Sequence, residues 1–223
     1  IEVTVDNLRR KDACPQEQFN WQNYGGIYRP VYVEWRAAAF IATVRNHVLL
    51  DRSKNAWLHT LAVRVAATDD AERVVVVFLD DKELARRVVR GGGEETVLEA
   101  AWPDTGEAHR WPAQRLDLRV ELRDGDRNGV TLDAVTRTIG LRSAELRDGA
   151  FLLNDKPTRI LGAAWHEQHP TFGNSVPGWQ VERDIQLMKQ VGLNTIRAAH
   201  YPHAQAFYDA CDRAGMMVVA ELP

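Results

Sequence analysis

The sequence is poor in cysteine, carries no excess of either charge and has no long apolar run, and each shortage closes off a class of protein. Its two cysteines, Cys14 and Cys211, stand far apart, which is neither a disulfide framework nor a metal knuckle. Its 28 Lys and Arg face 31 Asp and Glu, a formal net charge of -3, so there is no basic footprint for nucleic acid. No apolar stretch approaches the ~18 residues that span a bilayer. Neither a nucleic acid nor a membrane is therefore expected as a partner. An initiator Met and the charged, apolar and small-residue pattern of a signal peptide are also lacking. The first residues, Ile1-Glu2-Val3-Thr4-Val5, already alternate like a strand, and Met216 to Pro223 form an apolar run with nothing after it. The expectation is a piece of a longer protein whose native compartment cannot be read. What is present is an ordinary globular balance, 45% hydrophobic and 26% charged over 223 residues.

Three rhythms divide the chain. In residues 1–36 a strand is followed by a polar loop from about Asn7 to Asn23. The turn Tyr24-Gly25-Gly26 then leads into a second alternating stretch, Ile27 to Glu34. Two or three strands cannot bury a face alone, so this piece predicts the end of a larger sheet. From Ala37 to about Arg142, period-two alternation takes over, clearest at Leu116, Leu118, Val120 and Leu122 between Asp117, Arg119 and Glu121. About seven strands fall near 39–49, 61–65, 74–79, 84–89, 96–101, 116–122 and 130–139. The punctuation Asp69-Asp70, Gly91-Gly92-Gly93, Asp124-Gly125-Asp126 and Asn128-Gly129 separates several of them. That pattern predicts a β-sandwich of immunoglobulin type without its cysteine pair. From residue 143 a hairpin turning at Asp148-Gly149 leads into strand, helix, glycine, strand, helix, glycine, strand. Gly192 and Gly215 close the two helices. This βαβαβ order requires parallel strands. Its ~80 residues suit either the start of a (β/α)₈ barrel, which takes about 250, or a small open sheet.

The chemistry-bearing residues gather after the parallel strands. His166 and His169 follow the first strand, His200 and His203 the second, and Glu221 ends the third; Trp165, Glu167 and Tyr201 stand beside them. Loops at that edge carry the functional groups of parallel α/β folds. Imidazoles, a carboxylate and aromatic faces suit a polar ligand with an apolar side, such as a sugar. Three readings stay open: histidines satisfying loop carbonyls, a metal held by His166-x-x-His169 and His200-x-x-His203, or a substrate pocket. Pro170 and Pro202 place both pairs in loops rather than on helix faces. Glu167 and Glu221, two strands apart and roughly 10 Å on strand spacing, fit the separation of an inverting glycosidase pair on distance alone. Arg197 is placed to neutralise either one.

Four stretches then resemble a known family, the glycoside hydrolases of family two, which includes β-galactosidases, β-glucuronidases and β-mannosidases. Asn20-Trp21-Gln22-Asn23-Tyr24-Gly25-Gly26-Ile27-Tyr28-Arg29-Pro30-Val31 is similar to the end of its sugar-binding jelly-roll domain. Phe151-Leu152-Leu153-Asn154-Asp155-Lys156-Pro157 is similar to the lead-in to its barrel. Trp165-His166-Glu167-Gln168-His169-Pro170 resembles the loop after the first barrel strand, and Asn194 to Pro202 the segment around the second. The resemblance implies a multidomain chain: 1–36 the end of a jelly-roll domain, 37–142 an immunoglobulin-like β-sandwich, 143–223 the first three strands of a TIM barrel. It implies retaining hydrolysis of β-galactosides or β-glucuronides by two glutamates after the fourth and seventh barrel strands, neither of them in this sequence. The fragment alone is then inactive, needs no cofactor or metal, and partners a carbohydrate and either the rest of its barrel or a second copy of the chain. His166 and His200 would contact sugar hydroxyls. Asn20 stands near the family's jelly-roll carboxylate, Trp165 where Arg is common and Ala199 where a small polar residue is common. Glu221 is similar to a rim acid that is not the nucleophile. A non-catalytic carbohydrate-binding module is the alternative.

Overall fold

The computed structural model describes residues 1–8, 10–12, 21, 24–106, 115–125 and 129–222. They form two units, Glu34–Thr158 and the pairing of Ile1–Val33 with Arg159–Pro223. The turn expected at Asn128-Gly129 and most of the polar loop 7–23, with Asn20, lie outside the described residues.

In the first unit all seven expected strands form: β1 Ala39–Asp51, β2 Ala56–Ala67, β3 Glu72–Leu79, β4 Lys82–Arg90, β5 Glu95–Pro103, β6 Arg115–Asp124 and β7 Thr131–Gly140. They pair antiparallel in two sheets, ordered β1-β2-β5 and β4-β3-β6-β7. Alternation decides which side chains meet, because successive residues of a strand point to opposite faces. Trp57, Leu61 and Val63 of β2, Val75, Val77 and Leu79 of β3, and Leu116, Leu118, Val120 and Leu122 of β6 share one core. Beyond β7, the hairpin of β8 Ala144–Arg147 and β9 Ala150–Leu153 extends to a two-residue β10, Lys156–Pro157. The tight links Asp80-Asp81, Asp148-Gly149 and Asn154-Asp155 have positive φ at both residues. Two-residue hairpin turns that match strand twist require this, and Asp, Asn and Gly tolerate it.

The outer face of the four-stranded sheet is closed by its own side chains. Val74 and Val76 are buried although no second sheet lies on that side of β3 among the described residues. The Arg119 guanidinium lies 4.3 Å and that of Arg123 5.6 Å from the Phe78 ring centre. Buried Glu121 pairs with both arginines, with Arg123 at 2.6 Å. Arginine stems thus cover apolar surface while their heads meet water and charge.

In the second unit β11 Gly162–Trp165, β12 Thr195–Ala198 and β13 Met217–Ala220 pair in parallel, connected by α1 Gly178–Gln190 and α2 Gln205–Ala214. Gly192 (φ 91°) follows α1, and Gly215, left-handed at φ 64°, caps α2. The core lies between sheet and helices: Ile196 and Ala198 from β12, Val181 and Ile185 from α1, Phe207, Ala210 and Cys211 from α2. β11 and β12 approach so closely at Gly162 that a Cβ there would stand 2.6 Å from the Thr195 carbonyl oxygen. The strands expected at Ile1–Val5 and Ile27–Glu34 are not strands here. Alternation becomes a strand only where a neighbour supplies ladder hydrogen bonds, and none does so among the described residues of this unit's N-terminal segment. No described helix is long and apolar enough to cross a membrane.

Two outcomes follow from this packing. Gly162→Ala should destabilise the α/β unit by ~1–3 kcal/mol through overpacking against backbone, measured by urea unfolding. In the sandwich, His59 is 1% exposed and held near pKa 4 by burial. A histidine whose folded pKa lies below its unfolded value has its full stability above the unfolded pKa of about 6.5, and loses it as pH falls towards 4. Between pH 7 and 5 this should cost about 2 kcal/mol. Urea unfolding followed on β2 amides checks it, and His59→Gln should flatten that pH dependence.

Candidate functional site

The carboxyl ends of β11, β12 and β13 bring together a set of polar groups. The rings of His166 and His200 lie 5.0 Å apart, edge to face. His200 Nδ1 is 2.9 Å from Glu221 Oε2 and 3.2 Å from Arg197 Nη2, and Arg197 Nε donates to the other Glu221 oxygen. Parity explains Arg197: within β12, Ile196 and Ala198 face the helices, so Arg197 faces the other side and remains exposed. Of the two groups at His200 Nδ1, the carboxylate is the closer. The tautomer that fits donates Nδ1–H to Glu221 and leaves Nε2 free to accept from a hydroxyl. The Ala199–His200 peptide bond is cis.

Electrostatics tune these groups in opposite directions. Partial burial pushes the Glu221 carboxyl up, but His200 and Arg197 outweigh it and hold the group below the usual carboxylate range. Burial, then the positive fields of His200 and Arg197, lower the His166 imidazole, with Glu221 partly opposing them. Burial pushes the Tyr201 phenol up to about 12, so it is a neutral donor at any physiological pH. Trp21 brings an aromatic face from the N-terminal segment, 5.3 Å from His200 and 5.9 Å from Tyr201, ring centre to ring centre.

Other residues expected at this edge are placed elsewhere. Trp165 shares its strand face with Ala163, towards the helices, and its ring is buried against Phe207 (5.2 Å) and His203 (5.1 Å). Its indole N–H donates to Asp184 Oδ2 at 3.3 Å. The Glu167 carboxylate is 2% exposed and both oxygens have partners. Oε2 accepts from Arg29 Nη2 at 2.8 Å, and Oε1 accepts the Ala204 N–H at 3.2 Å, at the start of α2. His203 is buried, held near pKa 4 by burial, and its Nε2 lies 3.3 Å from the Ala199 carbonyl. His169 accepts the Thr171 N–H at Nδ1 and stacks on Phe172 at 4.7 Å. His166 and His169 turn to different neighbours, as do His200 and His203. Among the described residues no three His, Cys, Asp or Glu side chains are grouped to hold an ion.

Arg29 and the ring of Trp21 were not legible as site residues. Arg29 lies 138 positions from Glu167, and no local spacing links them. The surrounding motif, Tyr24-Gly25-Gly26-Ile27-Tyr28-Arg29, was the available signal.

The chain is similar to known proteins in sequence and in fold. Residues 144–223 match the family description "Glycosyl hydrolases family 2, TIM barrel domain". A β-galactosidase of Pseudoalteromonas haloplanktis is 42% identical over 229 aligned positions, covering 98% of this chain and 22% of that enzyme. A β-glucuronidase of Sus scrofa is 29% identical, covering 92% of this chain and 31% of its own length. A family-2 β-galacturonidase of Eisenbergiella tayi, solved with galacturonate bound, superposes with a TM-score of 0.81 at 26% identity, over 98% of this chain and 39% of that one. The three parallel strands with their helices are the beginning of a TIM barrel of glycosidase type. The chain belongs to glycoside hydrolase family 2. It spans between 22% and 39% of the length of these relatives.

The field around His166 gives a sign that can be checked. Since Glu221 raises its pKa and Arg197 lowers it, Glu221→Gln should move the His166 titration to lower pH and Arg197→Met to higher pH. Histidine ring resonances followed by NMR between pH 4 and 8 measure both.

Proposed function

We propose that this chain supplies the sugar-holding edge of a retaining β-glycosidase that acts on β-galactosides or β-glucuronides. The observation that carries the reading is the pair His166 and His200, 5.0 Å apart at the carboxyl ends of parallel strands, with His200 oriented by Glu221. Imidazole nitrogens there accept or donate to ring hydroxyls, Tyr201 donates as a neutral phenol, and Trp21 offers a flat apolar face to a sugar's C–H surface. Asn20, next to Trp21 in sequence, joins this set as a hydroxyl partner. The names of the relatives, β-galactosidase and β-glucuronidase, support the substrate class.

Retaining hydrolysis needs a carboxylate nucleophile and a carboxylic acid/base ~5–5.5 Å apart. Glu221 is neutralised by Arg197 and His200, and Glu167 is buried against Arg29. In this reading neither forms that pair, and both catalytic glutamates come from later barrel strands of the same protein. The domain assignment belongs to the same proposal: 1–36 the end of a jelly-roll domain, 37–142 an immunoglobulin-like sandwich, 143–223 the first βα units of the barrel. The sheet orders β1-β2-β5 and β4-β3-β6-β7 support the middle assignment. The open edge of a three-stranded parallel sheet supports either the remaining barrel or a second copy as its neighbour.

A panel of aryl β-glycosides tests the reading on this 223-residue chain and on the product of its full gene. The chain alone should show no turnover, and the longer product should hydrolyse galactosides or glucuronides with retention. In the longer product His166→Ala and His200→Ala should each lower kcat/KM by ~10²-fold or more, as loss of substrate-orienting contacts does. Unchanged sugar affinity in both variants would favour a binding module built elsewhere on the chain.

A further inference from the structure

We propose that Arg29 is the positioning residue of the two histidine loops, acting through the buried carboxylate of Glu167. One guanidinium nitrogen, Arg29 Nη2, donates to Glu167 Oε2 at 2.8 Å and to the Pro202 carbonyl at 2.7 Å. The first contact fixes the residue directly after His166. The second fixes the chain two residues after His200. Glu167 Oε1 accepts the Ala204 N–H, which ties the same carboxylate to the start of α2. Three segments therefore meet on one carboxylate that is 2% exposed.

A carboxylate taken out of water must be met by positive charge and donors, and Arg29 is the cation the structure places on Glu167. A guanidinium presents its donors in a fixed fork, so it sets the distance between its two acceptors in a way a lysine does not. The separation of the Glu167 and Pro202 anchor points thereby carries over to His166 and His200, and the same bond docks the segment that brings Trp21 to His200. Arg29 itself touches neither histidine ring by any contact the structure records. The groups whose charge acts on His166 are His200, Arg197 and Glu221. Because removal of Arg29 also leaves the Glu167 carboxylate unpaired, movement is read from the charge-preserving Arg29→Lys. His203 does feel the Arg29 charge and supplies the contrast.

The sugar arm of this inference rests on the functional reading above, and the positional arm does not. Both use the 223-residue chain. Arg29→Met should shift the ring resonances of His166 and His200, and should weaken binding of galactose or glucuronate by about tenfold or more. Arg29→Lys, keeping the charge without the fork, should recover the His203 titration but only part of the His166 and His200 signals. Arg213→Met breaks a surface pair with Glu182 in the same unit, and should lower stability without moving either ring. If Arg29→Met does not fold, Glu167→Gln, which keeps the side chain's size and its bond from Ala204, should give the same ring shifts. Ring signals at their wild-type positions in a folded Arg29→Met or Glu167→Gln chain would overturn the proposal. Wild-type chain that binds neither sugar, with the ring shifts as expected, would overturn the functional reading and leave the positioning role standing.

Discussion

A buried carboxylate is the constraint on which the α/β unit turns. Taking an ion out of water costs several kcal/mol even after the protein relaxes, and Glu167 is taken out almost completely. The chain meets that cost with one cation from residue 29, one backbone N–H at the start of α2 and a close fit of the loops between. For a fully buried pair, removal of one partner costs about 3–5 kcal/mol. Arg29 is 38% exposed, so solvent screens part of this and the cost is smaller. What the arrangement gains is definition, because three segments distant in sequence acquire a common reference point.

The candidate site uses charge differently. Arg197 and His200 both donate to Glu221, which holds them together in a partly exposed cluster. An ion cluster of this kind adds little to stability where water reaches it. Its value is in orienting the His200 ring through one nitrogen, which leaves the other turned away from Glu221. Next to it, Trp165, His203 and Phe207 pack as a buried aromatic cluster. Burial holds the His203 imidazole near pKa 4, so it is neutral there.

How much of this could be read beforehand depended on whether the determining contacts were local. Strand alternation, with a continuous apolar run at β3, placed β1 to β7 of the larger unit, and Gly192 and Gly215 marked both helix ends, because period and capping are properties of neighbouring residues. The N-terminal alternation at Ile1–Val5 and Ile27–Glu34 carried the same signal, yet a strand needs a partner that sequence period does not guarantee. At the site, His166, His200 and Glu221 followed from parallel topology alone. Trp165 could have been placed correctly by parity, since it shares its strand face with Ala163 and lies beside Ala198 in the neighbouring strand. Nothing in the local sequence distinguishes Glu167 as buried, because its burial depends on an arginine from the other end of the chain.

The outer face of the four-stranded sheet has a further consequence. Phe78 and its neighbouring valines are roofed by Arg119 and Arg123, and the roof is locked by Glu121 beneath it. A flat cation can lie on a ring and still show its edge to water, so among the described residues the sheet is finished on that side without another layer of backbone. Lysine would keep the charge there and lose the tile. In this part of the molecule arginine works as weatherproofing, and its chemistry is that of a surface material rather than of a binding group.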